Sequence, residues 1–196
     1  MILGIFAAIV IGYLLGSIPF GLILTRFAGL GDVRKIGSGS IGATNVLRTG
    51  NKTVTAATLV CDIGKGSAAV LIGALWGVES MLAAGAAVIL GHMFPVWLKF
   101  RGGKGVATAL GVLLVIAWPV ALVAGLIWLA TAILFRYSSL AALVASASAA
   151  AYAGFVVDGE RAVLVTLIAL VIIVKHHQNI RRLLAGTESR ISFTKS

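Results

Sequence analysis

Charged residues are scarce in this sequence: only 11% of its 196 positions are Asp, Glu, Lys or Arg, against about 25% in a soluble protein. Hydrophobic residues make up 60% of the chain and the mean hydropathy is +1.08. A globule of this length cannot hide so much apolar surface from water, so lipid must cover the remainder. The composition therefore excludes an ordinary soluble domain and predicts an integral membrane protein.

Cysteine and acidic residues are scarce as well. The single cysteine, Cys61, cannot form a disulfide within the chain, and its apolar neighbours favour a small packing residue. There are 6 acidic and 16 basic residues, which gives a net charge of +10. The basic residues are dispersed between apolar runs, a distribution that favours a basic membrane surface over a nucleic-acid partner.

Charged residues divide the chain into seven apolar runs, and about 20 apolar residues are needed for one membrane-spanning helix. The runs are about 2–25, 53–77, 79–98, 104–118, 119–135, 139–157 and 161–175. The weakest boundary is at Pro119, because the apolar stretch around it could form one kinked helix or two short ones. Its length exceeds one span and proline favours a turn, so we predict two. We expect a single all-α domain over residues 1–196, a bundle of about seven transmembrane helices.

The basic residues also predict the orientation of the chain. Of the 16 basic residues, 14 lie in the connections that become cytoplasmic if the N-terminus is outside, Lys195 in the C-terminal segment among them. Three of the six acidic residues lie in the outer turns: Glu79, Asp158 and Glu160. The positive-inside rule therefore predicts an external N-terminus and a cytoplasmic C-terminus. The inner connections also carry most of the polar residues, so we expect any chemistry on that side.

The first inner connection has a run rich in glycine and hydroxyl side chains at residues 37–48. It contains G-x-G-x-x-G, but no buried strand precedes it and the chain has no room for a βαβ unit, so the dinucleotide-binding pattern is accidental. Small residues let backbone amides converge on an anion, with hydroxyls and a guanidinium nearby. We predict a phosphate site, with a plain turn as the alternative. Its candidate groups are the hydroxyls of Ser38, Ser40 and Thr44 and the guanidinium of Arg48.

The second inner connection carries the sequence Gly-Gly-Lys-Gly directly before an apolar run. Unpaired amides and the positive end of a helix beside an ammonium group suit a phosphate, whereas a simple membrane anchor needs only Lys or Arg. We therefore predict an anion site at Gly102, Gly103, Lys104 and Gly105. His92, at the inner end of the preceding run, is either part of this site or a hydrogen-bonded packing residue.

The third inner segment follows the last apolar run. A helix through it places His176 and Asn179 on one face and directs His177 and Arg181 elsewhere. Two adjacent histidines without cysteine or carboxylate partners make a poor metal site, so we expect no metal. Ser139, at another inner helix start, is a candidate site hydroxyl or a helix cap.

Two charged residues lie inside the second apolar run, Asp62 and Lys65. Because charges inside a membrane are costly, we expect them to pair with each other or to face the polar centre of the bundle. Their spacing of three residues on a helix favours a structural pair over direct participation in chemistry.

The three inner segments together resemble the membrane-bound acyl-phosphate:glycerol-3-phosphate acyltransferases of bacteria. The resemblance covers the whole chain and rests on three motifs in the same order. These are residues 37–45 with Arg48; residues 91–95 with residues 102–105; and His176 with Asn179, Ile180, Arg182 and residues 186–188. The departures are mild, since Ser40 stands where the family usually has Asn and Lys175 where it often has Arg.

The resemblance implies the first acylation of bacterial phospholipid synthesis at the cytoplasmic face of the inner membrane. An acyl chain would move from acyl phosphate to the 1-hydroxyl of glycerol 3-phosphate, giving lysophosphatidic acid and phosphate. It implies no cofactor, and it implies membrane lipids as surroundings, with a functional link to the enzyme that forms acyl phosphate and to the next acyltransferase. The implied catalytic residues are Ser38, Arg48, Lys104, His176 and Asn179. The implied substrate-binding residues are Gly39, Thr44, Asn45, His92, Gly102, Gly103, Gly105 and Ser139.

The sequence lacks the usual signatures of nucleophilic acyl transfer. No histidine is followed five residues later by aspartate, and no G-x-S-x-G elbow is present. Catalysis would then rest on positioning and electrostatics, and we expect the phosphoryl group of the donor to accept the proton. His176, without a nearby carboxylate to fix its tautomer, would act as a hydrogen-bonding orienter. The alternative function is a membrane transporter of a small phosphate ester, which would use the same cations but needs polar groups on both membrane faces.

Overall fold

The computed structural model describes residues 1–191 of the chain, so Lys195 lies outside the described residues. Within this range the structure is helical and contains no β-strand. The helices are α1 Ile2–Gly16, α2 Phe20–Phe27, α3 Ala43–Val46, α4 Lys52–Ala74, α5 Val78–Met93, α6 Val106–Ile116, α7 Trp118–Phe135, α8 Ser138–Val156, α9 Gly159–Lys175 and α10 His177–Leu184. The predicted all-α membrane architecture is confirmed.

The number of membrane crossings is less sharply defined than the helical architecture. Among residues 1–191, five segments are long and apolar enough to cross a bilayer, and counting the bent pair α9 and α10 as one span makes up to six. Helix α6 has only 11 residues, about half of what a bilayer requires. The expected break before Pro119 is confirmed, because α6 ends at Ile116 and proline lies in the first turn of α7. The count of seven spans and the orientation of the termini stay predictions.

The chain divides into two compact units, residues 1–115 and residues 116–196. The single domain expected over residues 1–196 stays a prediction, and each unit has its own packing.

Glycines allow the helices of the first unit to pack closely. A Cβ at Gly16 of α1 would collide with the carbonyl oxygen of Val88 on α5, and one at Gly91 of α5 would collide with that of Tyr13. Helix α4 approaches α6 in the same way, since a Cβ at Gly66 would collide with the Thr108 carbonyl. Small residues at such contacts let backbones approach, which favours helix association in lipid.

In the second unit, α8 presents a buried face of small residues: Ala141, Ala145, Ala149 and Ala153. The chain reverses after α10 at Gly186, whose φ of +68° lies in the left-handed region. The segment that follows returns to the turn between α7 and α8, where the Ile191 amide donates to the Arg136 carbonyl at 2.7 Å. The Arg136 guanidinium donates in turn to the Ile191 carbonyl at 3.0 and 3.2 Å. This return places Glu188 beside the start of α8 and the middle of α10.

Candidate active site

The loop of residues 37–48 is organised around Asn45, which is buried. Its side-chain oxygen accepts a hydrogen bond from the Ser38 amide at 3.1 Å. Its side-chain nitrogen donates to the carbonyls of Val33 and Ser40 at 2.8 Å each and of Ile36 at 3.2 Å. The amide of Asn45 thus satisfies backbone groups that the irregular loop would otherwise leave unpaired. The structure gives this residue an organising position in the loop.

The same arrangement presents a hydroxyl and a guanidinium at the surface. Ser38, Gly39, Thr44 and Arg48 are all exposed. Gly37 has a φ of +52°, and a Cβ there would collide with the Arg48 side chain, which therefore packs on Gly37, the residue before Ser38. Five site residues are predicted in this loop, and all of them except Asn45 are thus accessible to a ligand.

Apolar contacts fix this loop to α2. Ile41 and Val46 of the loop are buried with Leu22 of α2 and with Val33. A Cβ at Gly21 would collide with the Ile41 carbonyl, so α2 and the loop touch through their backbones. The position of the loop therefore follows the position of α2.

A charged cluster lies between α2 and the loop. Asp32 forms ion pairs with Arg34 at 2.6 Å and with Arg26 at 3.3 Å. The hydrogen bond from the Arg34 side chain holds the pKa of Asp32 well below its usual range, against a smaller opposing effect of burial. This carboxyl stays ionised and offsets part of the positive charge near the loop.

The turn of residues 102–105 is packed on the end of α5, which explains its glycines. The Gly102 amide donates to the Met93 carbonyl at 3.2 Å and the Gly103 amide to the His92 carbonyl at 3.0 Å. A Cβ at Gly103 would collide with Nε2 of His92, and one at Gly102 with the His92 carbonyl oxygen. The expectation that unpaired amides of this turn face a phosphate is wrong for Gly102 and Gly103, because packing against α5 already uses those two amides.

Lys104 and Gly105 complete the turn at the start of α6. Lys104 is half-buried, and Gly105 is buried with a φ of +83°. A Cβ at Gly105 would approach the Met93 side chain to 2.6 Å. The glycines around Lys104 are thus required by close packing and backbone conformation, and they place a lysine at the N-terminus of a helix.

His92 is buried beneath this turn beside a buried ion pair. Its Nδ1 lies 3.7 Å from Oδ1 of Asp62, and the same carboxylate oxygen lies 2.9 Å from the Lys65 ammonium. The predicted pairing of Asp62 with Lys65 is confirmed. Of the two interpretations of His92, the structure favours a buried residue that supports the turn through Gly103.

In the second unit the third motif is built around Glu188, a residue quoted in the motif but not among the predicted site residues. Its carboxylate accepts hydrogen bonds from the Ser139 hydroxyl at 2.8 Å, the Asn179 amide at 2.7 Å and the Arg182 guanidinium at 2.6 Å. Ser139 and Asn179 are therefore brought together, and Ser139 does not cap α8. A signal was present in the sequence, since Glu188 is the only acidic residue after position 160.

The environment of Glu188 keeps its carboxyl charged. Burial raises its pKa, but the hydrogen bonds from Asn179, Arg182 and Ser139 outweigh burial, so the pKa lies below its ordinary value of 4.5. A carboxylate that accepts several hydrogen bonds is stabilised in its ionised form.

His176 lies where α9 and α10 meet at a bend of 58°. It is buried, as is Asn179, whereas His177 and Arg181 are exposed, as the helical spacing predicts. Its Nδ1 lies 2.8 Å from the Ile172 carbonyl, an arrangement in which Nδ1 carries the proton of the neutral ring and Nε2 the lone pair. The sequence offers no nearby carboxylate to fix the tautomer, and in the structure the Ile172 backbone carbonyl does so instead.

The predicted site residues are divided between the two units. The first unit holds Ser38, Gly39, Thr44, Asn45, Arg48, His92, Gly102, Gly103, Lys104 and Gly105, and the second holds Ser139, His176 and Asn179. Among residues 1–191 there is no group of three or more His, Cys, Asp or Glu side chains that could hold a metal ion.

Known proteins resemble this chain over almost its whole length. The sequence profile of a family described as glycerol-3-phosphate acyltransferase matches residues 6–186. A glycerol-3-phosphate acyltransferase of Mesorhizobium japonicum is 60% identical over 191 residues, which cover 97% of this chain and 98% of that protein. One of Agrobacterium fabrum is 62% identical over 185 residues, covering 94% of this chain and 90% of that protein.

Two crystal structures share the fold. One is PlsY, an integral membrane glycerol 3-phosphate acyltransferase, in its glycerol 3-phosphate form; it is 37% identical, has a TM-score of 0.90 and covers 96% of each chain. The other is its lysophosphatidic acid form, 36% identical with a TM-score of 0.88, covering 96% of this chain and 95% of that one.

Proposed function

This chain belongs to the glycerol-3-phosphate acyltransferase family and is an integral membrane enzyme, and on that premise we propose that its acyl donor is acyl phosphate. The acyl chain moves to the 1-hydroxyl of glycerol 3-phosphate, and the products are lysophosphatidic acid and inorganic phosphate. Membership in an enzyme family favours this reaction over the transport of a phosphate ester.

The loop of residues 37–48 is the observation that carries the proposal. Buried Asn45 holds the loop in a shape that exposes Ser38 and Arg48, and the Arg48 side chain packs on Gly37, the neighbour of Ser38 in the chain. A hydroxyl and a guanidinium at one place bind phosphate oxygens through charge-assisted hydrogen bonds. Both substrates of the proposed reaction carry phosphate, and a solved relative exists in a glycerol 3-phosphate form and in a lysophosphatidic acid form.

We assign the roles from the position of each side chain. Arg48 and Lys104 hold phosphate groups and neutralise charge that develops on the leaving group, and Ser38, Gly39 and Thr44 supply polar contacts in the first loop. Asn45 positions that loop, because its amide is committed to four backbone groups.

The glycines of the second motif and the polar residues of the third motif serve in other ways. Gly102, Gly103 and Gly105 position Lys104, and His92 supports their turn. Asn179 and Ser139, both tied to Glu188, orient the polar part of a substrate.

In the chemical step the 1-hydroxyl oxygen of glycerol 3-phosphate attacks the carbonyl carbon of acyl phosphate. The ester bond forms, the bond between the carbonyl carbon and the phosphate oxygen breaks, and phosphate leaves. A phosphoryl oxygen accepts the hydroxyl proton, which suits a phosphate with a second pKa near 6. His176 positions the bound glycerol 3-phosphate through a hydrogen bond at Nε2, the nitrogen that carries the lone pair when Nδ1 donates to Ile172, and it does not take the proton of the reacting 1-hydroxyl.

Two substitutions test the role of His176. His176→Gln retains a hydrogen-bonding group and should lose less activity than His176→Ala, because an orienting contact tolerates an amide better than a missing side chain. A general base contributes about 10²–10⁴-fold to the rate. The proposal is refuted if both variants lose activity equally and by that factor, and if both also lack the limb that a titrating histidine gives the wild-type pH–rate profile. His176 would then be the base that accepts the proton, in place of the donor phosphate.

We place the reaction at the cytoplasmic face of a bacterial inner membrane, because the cationic loops belong to the connections that the positive-inside rule assigns to the cytoplasm. The substrate acyl phosphate must come from an enzyme that either phosphorylates a fatty acid or transfers an acyl group to phosphate. The product lysophosphatidic acid is the substrate for a second acyltransferase, and membrane lipids surround the helices.

The choice of donor is tested with purified enzyme and labelled glycerol 3-phosphate. We expect lysophosphatidic acid to form with acyl phosphate in strong preference to acyl-CoA or acyl carrier protein, because cationic groups of this kind suit a small phosphate leaving group. Equal turnover with acyl-CoA would refute the donor assignment and leave the acyltransferase assignment intact.

A further inference from the structure

A buried ion pair in the middle of α4 contacts the backbone of the first span. Lys65 and Asp62 are only 4% and 2% exposed. The Lys65 ammonium lies 2.9 Å from Asp62 Oδ1 and donates to the carbonyls of Gly16 and Ile18 at 2.9 Å each. The ammonium is therefore held by one ion pair and two hydrogen bonds, which offset the cost of burying the charge.

The two carbonyls belong to a break in the first span. Helix α1 ends at Gly16 and α2 begins at Phe20, with Pro19 between them. Proline has no N–H and cannot continue the hydrogen-bond ladder, so the carbonyls at the break need other donors inside the membrane. Lys65 provides donors for two of them, and its ammonium also lies 5.6 Å from the centroid of the Phe20 ring.

The break sets the direction of α2, and α2 carries the first motif. The helix resumes one residue beyond Pro19, at Phe20, next to the Lys65 contacts. Gly21 touches the Ile41 backbone, and Leu22 packs with the buried side of the loop of residues 37–48. Helix α2 therefore connects the backbone groups that Lys65 binds to the loop that exposes Ser38 and Arg48.

The other member of the pair faces the second motif. Asp62 Oδ1 lies 3.7 Å from Nδ1 of His92, and the opposite edge of the His92 ring touches Gly103. The His92 ring thus has Nδ1 toward Asp62 on α4 and Nε2 toward the turn before Lys104. One turn of α4 thus contacts supports of both cationic segments.

We propose that Asp62 and Lys65 are positioning residues for acyl transfer, and that they set the spacing between the loop of residues 37–48 and the turn of residues 102–105. The proposal rests on the proposed function in taking Arg48 and Lys104 as the groups that hold substrate phosphates. The pair touches no substrate itself. Its effect is on the geometry in which two bound groups meet, to which reaction rates are sensitive at the level of about 1 Å.

Paired substitutions separate positioning from stability. Asp62→Leu with Lys65→Met removes both charges together and leaves no unpaired charge, a replacement that proteins often tolerate. Asp62→Asn with Lys65→Gln also removes both charges but keeps an acceptor and a donor. Ser67→Ala is the matched control, since the Ser67 hydroxyl on the same helix donates to the Gly111 carbonyl at 2.8 Å and contacts neither motif.

Each variant is purified, its melting temperature is measured, and kcat and KM for glycerol 3-phosphate are determined per folded molecule with the acyl donor that the wild-type enzyme uses. We expect the Leu/Met variant to lose at least about tenfold in kcat while KM changes less than about threefold, because Arg48 and Lys104 remain. The Asn/Gln variant should recover most of the loss, and Ser67→Ala should retain the wild-type kcat.

A wild-type kcat in the folded Leu/Met variant would overturn the proposal, as would an equal loss in Ser67→Ala. If the Leu/Met variant does not fold, Asp62→Asn with Lys65→Met replaces it, since it removes both charges and the Lys65 donors but keeps a polar side chain at position 62. A wild-type kcat in that variant overturns the proposal as well. Since the comparison uses whichever donor supports turnover, failure of acyl phosphate as donor refutes the proposed donor without affecting this test.

Discussion

Replacing Gly103 by alanine puts a methyl group where the His92 imidazole already lies. The added Cβ would collide with Nε2 and would lie 2.9 and 3.1 Å from two ring carbons. The ring has little room to retreat, because His92 is 3% exposed and its other nitrogen faces Asp62 at 3.7 Å. Since carbon contacts are optimal at about 3.5–4.0 Å, the turn must move by about 1 Å.

This displacement predicts two measurable effects. Overpacking of a buried site costs about 1–3 kcal/mol of stability, and moving the adjacent Lys104 by about 1 Å should lower kcat/KM by on the order of 10²-fold. Melting temperature and kcat/KM for glycerol 3-phosphate measure them separately. The control is Gly64→Ala on α4, where a Cβ meets nothing within 4 Å, so alanine should be neutral or stabilise by about 0.5–1 kcal/mol. Wild-type stability and rate in Gly103→Ala would refute the packing argument.

Arg48→Ala and Lys104→Ala should each lower kcat/KM by on the order of 10²-fold, because each loses a charge-assisted contact to phosphate. Arg181→Ala, on the exposed side of α10, is the control and should keep the wild-type rate. A wild-type rate for Lys104→Ala would show that Lys104 does not hold a substrate phosphate. The folded-state pKa of Glu188 lies below its ordinary value of 4.5, so its stabilisation is complete above the unfolded-state pKa and is lost as the pH falls through the folded-state pKa. Melting temperatures of wild type and Glu188→Gln should therefore differ near neutral pH and converge in acid, and a constant difference would contradict this. A topology reporter fused after Gly159 should read external, and a cytoplasmic signal there would exclude the seven-span arrangement.

Composition and residue spacing were enough to predict the membrane class and the helical architecture. The scarcity of charge requires lipid around the chain, and Pro119 marks a break that the structure contains. The spacing of three residues between Asp62 and Lys65 was enough to predict their pairing, because such residues face each other on any helix. These properties depend on local sequence and on the bilayer, so they do not require knowledge of the tertiary structure.

The partners of the motif residues were decided only by tertiary structure. The Gly102 and Gly103 amides donate to α5, and Asn179 and Ser139 meet at Glu188, which follows Ser139 by 49 residues. The same holds for Lys65, whose acceptors Gly16 and Ile18 lie at the break between α1 and α2. A sequence shows which donors and acceptors a segment contains. Which donor meets which acceptor depends on contacts between distant segments, and buried polar groups accept whichever partner the packing brings within reach.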